Sequence, residues 1–279
     1  RVGFHNLGLE SPPNGLDSTS ASIKLVNVND WDNAQRIAWY NAMFGISVDT
    51  GKTPTINAML RIGNLFEAGA TGTPALASGV NPLPATRTDP IALDSAGQPI
   101  SCQNNYHILF TDGKTYQNGL PTLVGDQDAT IPAYLQSVTE VPPEKVLPNF
   151  RPPLAAALGP WPRPYVQGVA VSDTLADVAT YYWARDLRPS LKNDVPAWSG
   201  ASNNDLDWTK DVAWWQHVSF SAISFGAEGM LEAGDEVQRK ATVTAIKNGT
   251  LSWPNLTQPN DPIYPKGKNH GAVAVDDLW

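Results

Sequence analysis

Six residues, Tyr106-His107-Ile108-Leu109-Phe110-Thr111, form a nearly continuous apolar run between Asn104-Asn105 and Asp112-Gly113. A short run of this kind suits a strand buried on both faces, as in a parallel sheet. Val218–Phe225 reads as a second interior strand. Arg1–Leu7 and Ser22–Val28 alternate apolar and polar residues and read as strands as well. Four helical patterns separate these runs. The first covers roughly 33–44, with Asp30 and Asp32 as candidate N-caps and Ile37, Tyr40 and Phe44 on one face. The second begins near Pro54, carries the stripe Ile56, Met59, Leu60 and Gly63, and ends at Gly69. Asp173–Trp183 aligns Leu175, Val178, Ala179 and Tyr182, and Asp235–Lys247 runs from a capping aspartate to Gly249. Helices alternating with apolar strands predict an α/β domain with a mainly parallel sheet.

Between these elements the chain is rich in proline and glycine, 24 and 22 of its 279 residues. The segments at about 69–104, 113–171 and 186–213 read as long irregular insertions into one domain spanning 1–275. Ten Trp, eight Tyr and seven Phe supply enough apolar bulk to exclude disorder of the whole chain. The formal net charge of −8 argues against nucleic-acid binding, which needs a basic face. No apolar run approaches the ~20 residues of a membrane-spanning helix. Cys102 is the single cysteine, so it has no internal disulfide partner and no cysteine-based zinc site exists. Low Lys and Cys with abundant Asn, Thr, Pro and Trp suit an extracytoplasmic protein.

Most chemical motifs fail on spacing. Gly51-Lys52-Thr53 and Gly113-Lys114-Thr115 lack the glycine five positions earlier that a phosphate loop needs, since Ile46 and Ile108 stand there. His5, His107, His217 and His270 have no partner at metal-ligand spacing, and His107 sits inside an apolar strand. No Gly-x-Ser-x-Gly elbow supports a hydrolase. Asn248-Gly249-Thr250 and Asn255-Leu256-Thr257 are glycosylation sequons in form only. Asp112 is the candidate with a position in its favour. A carboxylate at the carboxyl end of a buried strand faces the crevice where open α/β sheets bind ligands, and hard cations need such an oxygen. The plain alternative is a turn, because Asp-Gly commonly ends strands. Thr53 precedes Pro54 and a helical stripe, which suits an N-cap followed by proline and also suits a metal-facing hydroxyl. Trp161, Tyr165, Tyr181, Tyr182, Trp183, Trp198, Trp208, Trp214 and Trp215 read first as anchors for long loops and second as a carbohydrate platform.

Four stretches, in order, resemble one family. Cys102-Gln103-Asn104-Asn105-Tyr106 followed by Leu109-Phe110-Thr111-Asp112-Gly113 is similar to the Cys-Gln-Lys-Asn-Tyr…Leu-Thr-Asp-Gly stretch of type IV pilus tip-associated adhesins, the PilC/PilY family. Thr174-Leu175-Ala176-Asp177-Val178-Ala179, with Asp186-Leu187-Arg188-Pro189 after it, resembles that family's Thr-Leu-Ala-Asp-Val-Ala helix. Trp215-Gln216-His217 followed by Gly226 resembles its Trp-Gln-His strand, and Asp276-Asp277-Leu278-Trp279 its hinge into a C-terminal β-propeller.

The resemblance implies a von Willebrand factor A-like sheet with helices on both faces. Its metal-ion-dependent adhesion site joins an Asp-x-Ser-x-Ser loop, a threonine and a later aspartate. Gly51-Lys52-Thr53-Pro54 resembles the family's Gly-Gly-Thr-Pro, so Thr53 would be the threonine and Asp112 the aspartate. The first loop has no full counterpart. Asp17-Ser18-Thr19-Ser20-Ala21 comes nearest and departs at its last position, so the first strand and loop are expected upstream of Arg1. The bound ion would be Mg²⁺ or Ca²⁺, or none in this segment, and an upstream residue would be the partner of Cys102.

The function so implied is a non-enzymatic tip adhesin and assembly factor, outside the cell at the pilus tip or outer surface. Its partners would be minor pilins, a host or abiotic surface, and the β-propeller of the same protein. One rival is a structural cap that primes pilus assembly without a metal. The other is a secreted carbohydrate-binding or carbohydrate-active protein. A hydrolase would have to recruit a carboxylate pair from Asp205, Asp207, Asp211 and Glu228, and no spacing singles one out.

Overall fold

The computed structural model describes residues 1–6, 25–45, 55–76, 83–111, 124–127, 172–196, 211, 213–225, 235–247 and 250–251. These residues fall into two compact units, one drawn from Arg1–Ile100 and one from Ser101 onward.

In the first unit, β1 (Val2–His5) pairs antiparallel with β2 (Leu25–Asn29), with Phe4 opposite Val26 and His5 opposite Leu25. The register shifts between Val2 and Phe4. Gly3 sits at this shift because the strands come too close for a side chain: a Cβ there would lie 2.8 Å from the Val26 carbonyl oxygen. Helix α1 (Asn33–Phe44) follows. Of the two candidate caps the chain uses Asp32, whose Oδ1 accepts the Gln35 backbone N–H at 2.8 Å.

The side chains that dock α1 are donors rather than the apolar stripe. Gln35 Nε2 donates to the Val2 carbonyl at 2.6 Å and to the Asn27 carbonyl at 2.7 Å, so one amide ties both strands. Trp39 Nε1 donates to the Gly3 carbonyl at 3.1 Å, and its ring meets Phe4 edge-on at 5.6 Å. Ile37, Tyr40 and Phe44 face outward and are 61%, 46% and 77% exposed. A two-stranded ribbon offers α1 a row of carbonyl oxygens, and Gln and Trp satisfy those where Ile and Phe would not.

Helix α2 (Thr55–Ala68) is buried at every position except Glu67. Its predicted stripe is therefore part of an all-round core that also takes in Asn57, Arg61 and Asn64. The Arg61 guanidinium reaches the Asn6 carbonyl at 3.4 Å. Gly69 ends the helix as expected, with φ of 59° and its N–H bonded to the Leu65 carbonyl. The Arg87 guanidinium then donates to the carbonyls of Gly69 and Gly72 at 2.9 and 3.0 Å. A cation there satisfies free carbonyls and complements the negative end of the helix dipole. The loop carrying Arg87 is an ordered part of the unit: Asn27 Nδ2 donates to the Thr86 carbonyl and Asn27 Oδ1 accepts the Thr88 N–H.

In the second unit, β3 (Tyr106–Thr111) and β4 (Ser219–Ser224) pair in parallel over six residues, from Tyr106 opposite Ser219 to Thr111 opposite Ser224. The parallel pairing predicted from two apolar runs is present. Helix α3 (Leu175–Ala184) packs on β4 and buries Leu175, Val178 and Tyr182. Helix α4 (Glu236–Lys247) begins after Asp235, whose Oδ1 accepts the N–H groups of Val237 and Gln238.

One expectation for β3 is corrected. Leu109 and Thr111 are buried, but Tyr106, Ile108 and Phe110 are 65%, 54% and 61% exposed. Ile223 of β4 and Phe225 just beyond it are exposed too. Among the described residues, β3 and β4 pair only with each other, and the helix packed on this sheet is α3. The run is apolar on both sides, yet one side has no cover from these elements. The architecture is mixed α/β with a two-stranded antiparallel and a two-stranded parallel sheet.

Candidate functional site

The second unit is organised by the triplet Trp215-Gln216-His217, which leads into β4. All three residues are at most 1% exposed, and each side chain reaches a different part of the chain. Trp215 Nε1 donates to the Trp183 carbonyl at the end of α3, 2.8 Å away. Gln216 Nε2 donates to the Ser101 and Lys192 carbonyls at 2.5 and 2.8 Å. The backbone takes part as well, since Leu187 N donates to the Gln216 carbonyl and Val218 N to the Tyr182 carbonyl. Asn105, just before β3, donates from Nδ2 to the His217 carbonyl at 3.0 Å. Trp215 and Gln216 lie in a bend ahead of β4, and each of the three polar-tipped side chains fastens a different neighbour.

His217 lies between two acceptors. Nδ1 faces the Trp215 carbonyl at 2.7 Å and Nε2 faces Asp211 Oδ2 at 2.9 Å. Asp211 Oδ2 also accepts from Ser219 Oγ at 2.7 Å, and Oδ1 accepts from Trp183 Nε1 at 3.1 Å. These residue types are those of a hydrolytic triad, but the order of bonding is not. A triad runs from nucleophile to imidazole to carboxylate, whereas here serine and histidine both bind the carboxylate. Both ring nitrogens face partners other than Ser219, whose hydroxyl donates to Asp211 instead. The cluster ties the segment around Asp211 to α3 and β4.

Burial pushes the Asp211 carboxyl upward, but the hydrogen bond and charge of His217, with hydrogen bonds from Ser219 and Trp183, outweigh it. The net result is a pKa of about 2, against an ordinary 3.8. A carboxyl with a folded pKa below its unfolded value contributes stability fully above the unfolded pKa and loses it as pH falls through the folded one. Denaturant titrations at pH 5, 4, 3 and 2 are expected to show Asp211→Asn lacking about 2 kcal/mol of the wild-type acid-dependent loss between pH 4 and 2. Identical pH profiles would show that the carboxylate is not held as described.

His107 on β3 is mostly buried, and burial alone pushes it down to about 4, so it is neutral near pH 7. Its ring meets Phe220 of β4 edge-on at 5.3 Å, which supports the structural reading of this histidine. Tyr182, Trp214 and Trp215 are buried, consistent with aromatics acting as anchors. Trp161, Tyr165, Trp198 and Trp208 lie outside the described residues.

Thr53, Asp112 and the partial loop Asp17–Ala21 also lie outside the described residues. The description reaches their neighbours. Thr55 opens α2 and is fully buried, and Thr111 ends β3 with its carbonyl bonded to Phe225 N at 3.0 Å. Asp112 thus follows at once on the carboxyl end of a parallel strand. Among the described residues, no group of three or more His, Cys, Asp or Glu side chains is placed to hold a metal. Cys102 carries a free, exposed thiol. No helix of the described residues is long and apolar enough to cross a membrane.

Sequence reading alone missed the tie through Asp211. The Trp-Gln-His triplet is visible in the sequence, but Asp211 lies six residues before His217 in an irregular segment. Nothing in that spacing announces the contact. The capping box of α3 did leave a signal in Thr174-x-x-Asp177.

Comparison with known proteins gives one consistent result. The chain is 28% identical over 261 residues, 90% of its length, to the type IV pilus biogenesis factor PilY1 of Pseudomonas aeruginosa strain PAK. It is 27% identical over 274 residues, 95% of its length, to PilY1 of strain PAO1, and 28% identical over 186 residues, 63% of its length, to PilY1 of strain UCBPP-PA14. The chain spans about a fifth or less of the length of these relatives, 18%, 19% and 14% respectively. No family model matches the chain, and no solved structure matches it. The resemblance to the PilC/PilY family read from the four stretches is supported by all three relatives.

Proposed function

From this kinship with type IV pilus biogenesis factors, we propose that the chain is a non-enzymatic assembly and adhesion module of a bacterial type IV pilus. It acts outside the cell, at the filament tip or outer surface. The observation that carries the reading is similarity over 90% and 95% of the chain to two proteins named for pilus biogenesis.

In this reading the chain is a von Willebrand factor A-like region, to which the parallel β3–β4 pair and α3 belong. Asp112, which follows β3 in sequence, contributes to a Mg²⁺ or Ca²⁺ site, and Thr53, just before α2 in sequence, is the threonine that the resemblance assigns. That site leaves a coordination position open for an acidic group of a partner. Minor pilins and the surface to which the pilus attaches are the partners, and a β-propeller follows in the same protein.

Two variants separate adhesion from assembly. Deletion of the protein is expected to abolish piliation. Asp112→Ala is expected to leave filaments in place and to lower surface attachment tenfold or more, measured as cells retained under flow. Full attachment by the Asp112→Ala strain would remove the metal from the reading and leave a structural cap.

A further inference from the structure

Three buried oxygens of the second unit have no hydrogen-bond donor: Gln216 Oε1, Asn193 Oδ1 and Asp194 Oδ1. Gln216 is 1% exposed, and the orientation of its amide is fixed. Nε2 donates to the Ser101 and Lys192 carbonyls, so turning the amide over would set its oxygen against two other oxygens. The Lys192 carbonyl that holds this amide also accepts the Asp194 N–H at 3.0 Å, which folds the chain back at Asn193. The next N–H, of Val195, is tied to the Trp214 carbonyl at 3.1 Å. The orphaned oxygens therefore belong to one junction. Two come from consecutive residues, and the third comes from the glutamine bonded to the residue before them. All three are acceptors, and burying acceptors without a donor is unfavourable unless something positive or donating meets them.

We infer that this junction binds a hard divalent cation of the calcium class, with Gln216, Asn193 and Asp194 each supplying one oxygen. Ca²⁺ accepts amide and carboxylate oxygens together in flexible geometry, with water or backbone carbonyls completing its shell. A single carboxylate places the affinity in the weak range of extracellular modules, a Kd of about 10⁻⁴ to 10⁻³ M. The inference does not depend on the pilus reading.

The test is thermal unfolding of the purified chain with EDTA or with 10 mM CaCl₂, together with Tb³⁺ luminescence excited through Trp214 and Trp215 beside Gln216. The wild type is expected to melt a few degrees higher in Ca²⁺ and to show sensitised Tb³⁺ emission that Ca²⁺ competes away at millimolar concentration. Asp194→Asn and Asn193→Ala, both folded by circular dichroism, are each expected to weaken the response tenfold or more. Asp112→Ala is expected to keep it. Absence of any Ca²⁺ or Tb³⁺ response in the wild type would mean that the oxygens meet water and would overturn the inference. So would a response that survives Asp194→Asn and Asn193→Ala but is lost in Asp112→Ala.

Discussion

Trp215→Ala is expected to cost about 3–5 kcal/mol of folding stability, the range for removing a large buried aromatic. Against a total of about 5–15 kcal/mol for a typical domain, that loss leaves the second unit marginal or unfolded. Two effects combine. The ring is fully buried and meets Trp183 and Trp214 edge-on at 5.7 and 5.2 Å, so its removal opens a cavity in a layer of aromatics. Its N–H also fills the Trp183 carbonyl at the end of α3, which alanine leaves without that donor. Trp215→Phe separates the effects, keeping much of the volume and losing the hydrogen bond. Urea unfolding should place the phenylalanine variant between wild type and alanine. Equal stability of wild type and Trp215→Ala would show that the triplet does not fasten α3.

Asp177→Ala is expected to cost about 2–6 kcal/mol, from one buried and one half-buried backbone N–H group losing a charged acceptor at about 1–3 kcal/mol each. Asp177 Oδ1 accepts the Gln127 N–H at 2.8 Å, and Oδ2 accepts the Thr174 N–H at 2.9 Å and the Thr174 hydroxyl at 3.1 Å. One carboxylate thus closes the capping box of α3 and pins a segment fifty residues earlier. Thr174→Ala removes the reciprocal cap, in which Thr174 Oγ1 accepts the Asp177 N–H, and should cost about 1 kcal/mol. Denaturation midpoints that rank Asp177→Ala below Thr174→Ala would support this division. The reverse order would mean that the helix cap matters more than the link to Gln127.

The parts of this fold that could be read from the sequence are those set by local patterns. The apolar runs at Tyr106–Thr111 and Val218–Phe225 marked the strands, and the nearly continuous apolar character of the first pointed to parallel pairing. Asp32, Gly69, Asp173-Thr174 and Asp235 marked helix ends because capping is decided within a turn of chain. Long-range choices were not legible. Spacing places Ile37, Tyr40 and Phe44 on one face of α1, but only the tertiary arrangement turns Gln35 and Trp39 toward the strands. Composition cannot show that α2 is buried all round with Arg61 and two asparagines inside. The Asp211–His217 tie spans an irregular segment where no period exists to read. Thr53 and Asp112, singled out by resemblance and position, lie outside the described residues, and the attachment experiment tests Asp112.

Among the described residues, Phe44 on α1 and Tyr106, Ile108 and Phe110 on β3 are exposed. The central claim is that the chain belongs to a type IV pilus and acts outside the cell at its tip. Gold labelling of native filaments with an antibody to this segment, viewed by electron microscopy, tests it most directly. Label concentrated at filament tips is the result this account requires. Label on the cell surface with none on pili would contradict it.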